Sequence, residues 1–133
     1  MGDPLVELAR VAHDRAYAPY SGFRVGAALL AQDGRMYPGC NVENASYGLS
    51  MCAERVALGA AVADGATSFR RIVVVSDSNP PASPCGSCRQ ALAEFGFDLV
   101  VVGVGPAGQS EWRLADLLPD AFVAELLNRP PTA

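Results

Sequence analysis

Two short stretches hold the residue types from which reactive centres are built. One is S-M-C-A-E-R-V-A, Ser50 to Ala57, where a thiol and a carboxylate, Cys52 and Glu54, stand two positions apart. The other is P-C-G-S-C-R-Q, Pro84 to Gln90, where Cys85 and Cys88 stand three apart. Each stretch opens a helix-like run. At a helix start, a spacing of three puts both thiols on one face, and the free backbone N–H groups and helix dipole there favour thiolates. Cys52, at the start of the other helix, is a candidate third ligand. Three ligands plus an open position make the catalytic zinc arrangement, whereas structural sites close with four. Water in the open position would have its pKa lowered to about 7. Glu54 lies too far round the first turn to bind the same ion, yet it can lean toward that water and shuttle its proton.

The same residues admit other readings. A lone C-x-x-C also serves as a redox pair or as half of a structural zinc site. P-C-G-S-C does not follow a strand in a thioredoxin-like order, so the redox reading lacks support. A structural site needs a fourth ligand, and Cys40 is available for a non-catalytic, zinc-stapled binding module. Against this, a small thiol within a strand is ordinary core, and a closed site leaves Glu54 without a task. The single histidine, His13, is expected on the solvent side of the first helix, as a surface residue and not a ligand.

The elements that must position these groups are legible from pattern. Asp3-Pro4 reads as an N-cap and first-turn proline for a helix carrying Leu5, Leu8, Val11 and Ala12, ending before Pro19. Residues 23–31 read as a strand, and Asp33-Gly34 as a hairpin turn into a second strand over 36–42. Residues 52–63 form an alanine-rich helix stopped at Asp64-Gly65. Continuous apolar runs at 71–76 and 98–104 read as strands covered on both faces. A helix at about 85–95 stands between them, and a short strand near 111–113 and a last helix from about Ala121 complete the pattern. The sum is one domain over 1–133, of α/β class: a mixed five-stranded sheet with helices on both sides, three layers α/β/α. The two cysteine-bearing helices each precede a buried strand, so their amino ends are expected at one end of the sheet. The final N-R-P-P-T-A reads as a frayed tail.

With 133 residues and a formal net charge of −4, the chain is large enough for a core but lacks the basic face that nucleic acid requires. A small ligand is the expected partner. No segment approaches the roughly 20 apolar residues of a membrane span, and no secretory signal is visible in M-G-D-P-L-V-E-L-A-R. The chain is therefore expected in the cytoplasm, where cysteines serve as metal ligands or buried thiols in preference to disulfides.

Taken in order, F-R-V-G-A-A, G-C-N-V-E-N-A-S-Y-G, C-A-E-R, P-C-G-S-C-R-Q and L-L-P-D-A-F resemble the small cytidine deaminases, over most of the chain from about Tyr20 to Phe122. C-A-E-R with a later P-C-x-x-C also matches the wider zinc deaminase signature, with Cys in place of His. The resemblance implies one Zn²⁺ per subunit on Cys52, Cys85 and Cys88. Glu54 then acts as base and afterwards as acid while cytidine or 2′-deoxycytidine loses ammonia to water. Asn41 and Glu43 of N-V-E-N are expected to read ribose hydroxyls, Phe23 to stack on the base, and the backbone at Ala53 to read the base edge.

Three thiolates leave the zinc with a net charge of about −1, which works against activating water. Arg55 is expected to offset this by donating to a ligand sulfur. Arg89 is a second candidate, whose plainer reading is a solvent-facing helix residue. The resemblance further implies a homotetramer with shared active sites, Phe122 capping a neighbour's pocket and Tyr47 reaching across. It implies a role in pyrimidine salvage on free nucleosides; nucleotides are not expected, since no glycine-rich phosphate cradle or cluster of basic residues is present. A related zinc deaminase acting on another aminopyrimidine, such as blasticidin S, is the nearest alternative.

Overall fold

In the computed structural model, which describes residues 2–127, five strands form one mixed sheet in the order β2-β1-β3-β4-β5. The chain opens with α1 (Pro4–Asp14), capped by Asp3, whose Oδ1 accepts from the Leu5 N–H at 2.9 Å. The other oxygen of Asp3 pairs with Arg71 and so ties the start of the helix to the sheet. Strands β1 (Val25–Ala31) and β2 (Met36–Cys40) form the antiparallel hairpin. Helix α2 (Ala53–Ala63), strand β3 (Phe69–Ser76), helix α3 (Gly86–Ala93) and strand β4 (Val100–Gly105) follow, then β5 (Gly108–Arg113) and the short α4 (Leu114–Leu117).

Strand β3 lies antiparallel to β1 and parallel to β4. Successive side chains of a strand point to opposite faces, and here both faces are covered. Ala28, Val73, Val75, Val102 and Val104 pack with Leu5 and Ala9 of α1. Ala27, Leu29, Ile72, Val74 and Val101 pack with Ala53, Ala57, Ala61 and Leu92 of α2 and α3. These are the three layers expected from the sequence, and the unbroken apolar run of β3 reflects its burial on both sides.

Strand parity decides where function can sit. The amino end of β1, the carboxyl end of β2 and the carboxyl end of β3 share one edge, as the registers Val25↔Ser76 and Gly26↔Cys40 show. Helix α2 leads into β3, and α3 leads from β3 into the parallel β4, so the amino ends of both helices return to that edge. Two glycines allow the close approach. A Cβ on Gly39 of β2 would collide with the Ala53 carbonyl and the Ala57 N–H of α2. One on Gly103 of β4 would meet the Ala82 carbonyl at 2.7 Å, in the loop that leads to Cys85.

Several boundaries differ from the sequence reading. Cys52 and Cys85 precede their helices as N-caps. Strand β1 begins at Val25, two residues after Phe23, and β2 stops at Cys40, with Val42 making isolated bridges to Tyr17 and Met51. Among the described residues, the expected last helix from Ala121 is a 3₁₀ turn, Ala124–Leu127, and α4 stands earlier, in Leu114–Leu117. Apolar residues in L-A-D-L-L are too few to establish a helical period before Pro119 ends it. The expected frayed tail lies outside the described residues.

Candidate metal centre

Cys52 caps α2, Cys85 caps α3, and Cys88 sits in the first turn of α3, fully buried. Neither capping cysteine uses its side chain to bond its own helix. The Sγ atoms of Cys52 and Cys85 are 3.8 Å apart, those of Cys85 and Cys88 3.5 Å, and all three lie within 4.8 Å of one another. A tetrahedral zinc ion with Zn–S bonds near 2.3 Å separates its sulfurs by about 3.8 Å. The trio has the spacing such an ion requires.

Protonation supports the same fit. A hydrogen bond from Cys88, with the nearby Arg55 guanidinium, holds the Cys52 thiol down at about 5 despite burial. At the other end of that bond, the bond itself and then burial push Cys88 up. These opposite directions describe one proton held between crowded sulfurs. A divalent cation bound there would take the proton's place and leave three thiolates, since metal ligation releases thiol protons.

Arg55 Nη2 lies 3.8 Å from Cys52 Sγ, in range to donate to the sulfur. Arg89 has other work. Its Nε donates to the Pro84 carbonyl at 2.7 Å, Nη1 to the Leu117 carbonyl at 2.9 Å and Nη2 to Ser83 Oγ at 2.7 Å. The plainer expectation of a solvent-facing arginine is thus corrected: Arg89 is partly buried and pins the loop before Cys85 to α4, because that loop leaves carbonyls that a helix ladder cannot satisfy. Cys40, the fourth thiol considered for a closed site, is at the end of β2 and faces the Arg15 carbonyl at 3.8 Å, outside the trio. His13 is no ligand either, but its expected solvent position is corrected too. Its side chain is only 12% exposed and Nε2 bonds Asp77 at 2.8 Å.

A cavity of about 330 Å³ opens beside the sulfurs. Phe23, Asn41, Glu43, Ala53 and Glu54 all line it, together with Cys52 and Cys85. Glu54 is 5% exposed, and burial, then the nearby Cys52, raises its pKa. A carboxyl moved toward neutrality is suited to taking up and giving back a proton. Asn41 bridges the strand entrance, its Oδ1 accepting from the Val25 N–H and its Nδ2 donating to the Phe23 carbonyl, both at 2.9 Å. Glu43 accepts from the N–H groups of Tyr20 and Ser21 and from the Ser21 hydroxyl, contacts that hold its carboxyl below the usual range. Sequence reasoning missed this loop-holding role of both residues. No sequence signal marked it: residues 23–31 read as one strand, and only the structure shows the ladder starting at Val25 and leaving the preceding backbone groups in need of partners.

Tyr47 and Phe122 do not line this cavity. Tyr47 borders an adjoining one with Tyr20, Ser21, Glu43 and Ser50, and its ring meets that of Tyr20 edge-on, with centroids 6.2 Å apart. Phe122 is 57% exposed, and its carbonyl accepts from Gln90 Nε2 at 2.9 Å.

Residues 3–104 match the family described as the cytidine and deoxycytidylate deaminase zinc-binding region. The chain is 47% identical over 128 residues to a cytidine deaminase of Sporosarcina psychrophila, an alignment covering 95% of this chain and 94% of that one. Among solved structures, the cytidine deaminase of Burkholderia pseudomallei superposes with a TM-score of 0.86 at 49% identity, covering 92% of this chain and 100% of the other. The Mycobacterium tuberculosis cytidine deaminase gives 0.77 at 44%, covering 90% and 94%.

With Cys88 fully buried between its neighbours, Cys88→Ala is expected to strip most of the zinc from the purified chain, read by elemental analysis against protein concentration. Full metal content in that variant would contradict the three-sulfur site.

Proposed function

The chain belongs to the cytidine and deoxycytidylate deaminases, and from that premise we propose that it hydrolyses cytidine to uridine and ammonia, with Glu54 moving the protons. The observation that carries this reading is a buried carboxylate beside a three-sulfur site, both facing one cavity, with no fourth cysteine, histidine or acid completing the cluster among the described residues. When bound by Cys52, Cys85 and Cys88, zinc supplies the Lewis acidity that makes water a nucleophile at neutral pH.

The chain's own residues do the rest. Phe23 presents its ring to one face of the pyrimidine, and the backbone at Ala53 reads the base edge. Asn41 and Glu43 meet the ribose hydroxyls with the hydrogen-bonding capacity that the loop contacts leave free, since a carboxylate offers about four acceptor positions. Glu54 takes a proton from the attacking water and passes it to N3, which makes the ring a better electron sink. Glu54 then takes the remaining proton from the new C4 hydroxyl and delivers it to the exocyclic amine, so that C4 becomes a carbonyl and the amine leaves as ammonia. Arg55 draws charge from Cys52 and keeps the three sulfurs from over-neutralising the metal. The reading extends to 2′-deoxycytidine, because none of the reacting atoms involves the 2′ position.

The assembly we propose is a homotetramer with shared pockets. Its support is a set of exposed apolar side chains, Tyr20, Phe23, Tyr47, Leu49, Met51 and Phe122, which a protein interface would cover. Among the described residues no helix is long and apolar enough to cross a membrane. The work assigned to the chain is pyrimidine salvage in the cytoplasm, where its cysteines stay reduced.

Following ultraviolet loss and ammonia release on cytidine, Glu54→Gln should abolish turnover while zinc content and melting temperature hold; residual wild-type rates would refute the assigned role. Arg55→Gln is expected to slow turnover about 10-fold or more with zinc retained, and unchanged kinetics would remove the charge-offset role. In sedimentation, Phe122→Ala should shift a tetramer toward smaller species or raise KM; an intact tetramer with normal kinetics would count against Phe122 as a cap.

A further inference from the structure

Phe23 sits on a segment that the sheet does not hold. The ladder between β1 and β3 begins at the Val25↔Ser76 pair, and the Phe23 side chain is not locked by burial, being 41% exposed. Side chains supply what the ladder does not. Glu43 accepts from the N–H groups of Tyr20 at 2.9 Å and Ser21 at 3.1 Å, and the Ser21 hydroxyl accepts from Phe23 N–H at 3.0 Å. Asn41 holds the Phe23 carbonyl and the Val25 N–H. That leaves Arg24, whose N–H donates to Asp77 Oδ2 at 3.1 Å. Asp77 follows the last residue of β3, and its other oxygen accepts from His13 Nε2 at 2.8 Å. A carboxylate only accepts, so Nε2 carries the proton. Burial works to raise the Asp77 pKa, but the Arg24 N–H and His13 outweigh it and hold the carboxyl low. The chain therefore links α1, on the far face of the sheet from the sulfurs, to the residue just after Phe23.

We propose that His13 and Asp77 are a positioning pair for the base-binding phenylalanine: His13 orients the Asp77 carboxylate, which holds the Arg24 N–H and so sets Phe23 against the pyrimidine. The inference rests on the deaminase reading and adds two residues that touch neither substrate nor metal. Removing the carboxylate frees a backbone N–H and loosens the segment, which weakens substrate binding and leaves Glu54 and the three sulfurs where they are.

The experiment is steady-state kinetics on cytidine with zinc content and melting temperature measured in parallel. Asp77→Ala should raise KM about tenfold, the usual scale for a lost hydrogen bond to a charged group, with kcat within about twofold and zinc unchanged. His13→Ala should raise KM less, about threefold, and should add nothing in the Asp77→Ala background, because the two act through one contact. Asp77→Asn keeps an acceptor for Arg24 while His13 changes tautomer, and should restore KM to near the wild-type value. An unchanged KM in Asp77→Ala would overturn the pair, as would a parallel fall of kcat, zinc content and melting temperature that Asp77→Asn does not reverse. Should Asp77→Ala fail to fold, His13→Ala and Asp77→Asn carry the test alone, and a wild-type KM in His13→Ala overturns it. No turnover by the unaltered chain would overturn the deaminase reading and this inference together; turnover with KM unmoved by the variants would overturn this inference alone.

Discussion

Three sulfurs confined within 4.8 Å where two helices begin are the constraint to which the rest of the structure answers. Three thiolates at that distance would repel one another, and a divalent cation among them would offset that repulsion. The helix amino ends contribute in the same sense, because their unpaired N–H groups and dipoles favour negative charge. Bringing two such ends together requires both helices to return to the same edge of the sheet and to lie close against it. Gly39 admits the first turns of α2, and Gly103 admits the loop before α3. Arg89 then fixes that loop by bonding carbonyls that regular structure leaves open.

The same edge collects the groups to which we give substrate recognition. Strands β1 and β3 run in opposite directions, so the amino end of one and the carboxyl end of the other meet beside the sulfurs. Chain segments distant in sequence thereby converge on one cavity, with Phe23 arriving from before β1, Asn41 and Glu43 from beyond β2, and Glu54 from α2. Asn41 and Glu43 also secure the segment that carries Phe23, so the wall of the cavity is built partly from the side chains that face into it. Such sharing ties the position of Phe23 to the two side chains that line the cavity beside it.

Much of this was readable in advance where the sequence carries a local physical signal. The C-x-x-C spacing, the carboxylate two residues beyond Cys52, the Asp3-Pro4 helix start and the unbroken valines of β3 each follow from short-range geometry. The roles of Arg89, His13 and Asp77 did not, for a common reason: each is defined by a partner far along the chain, and a lone arginine or histidine on a helix has the pattern of a surface residue. Cys40 shows the converse. By type it qualified as a ligand, and only the fold places it beside the Arg15 carbonyl, away from the trio. The α4 turn escaped because four residues are too few to set a period.

The coordination itself is the most direct point of test. X-ray absorption at the zinc edge on the purified chain should show three sulfur neighbours at about 2.3 Å and one lighter oxygen or nitrogen neighbour at about 2.0 Å. Four sulfurs around the ion, or no zinc bound at all, would contradict the account.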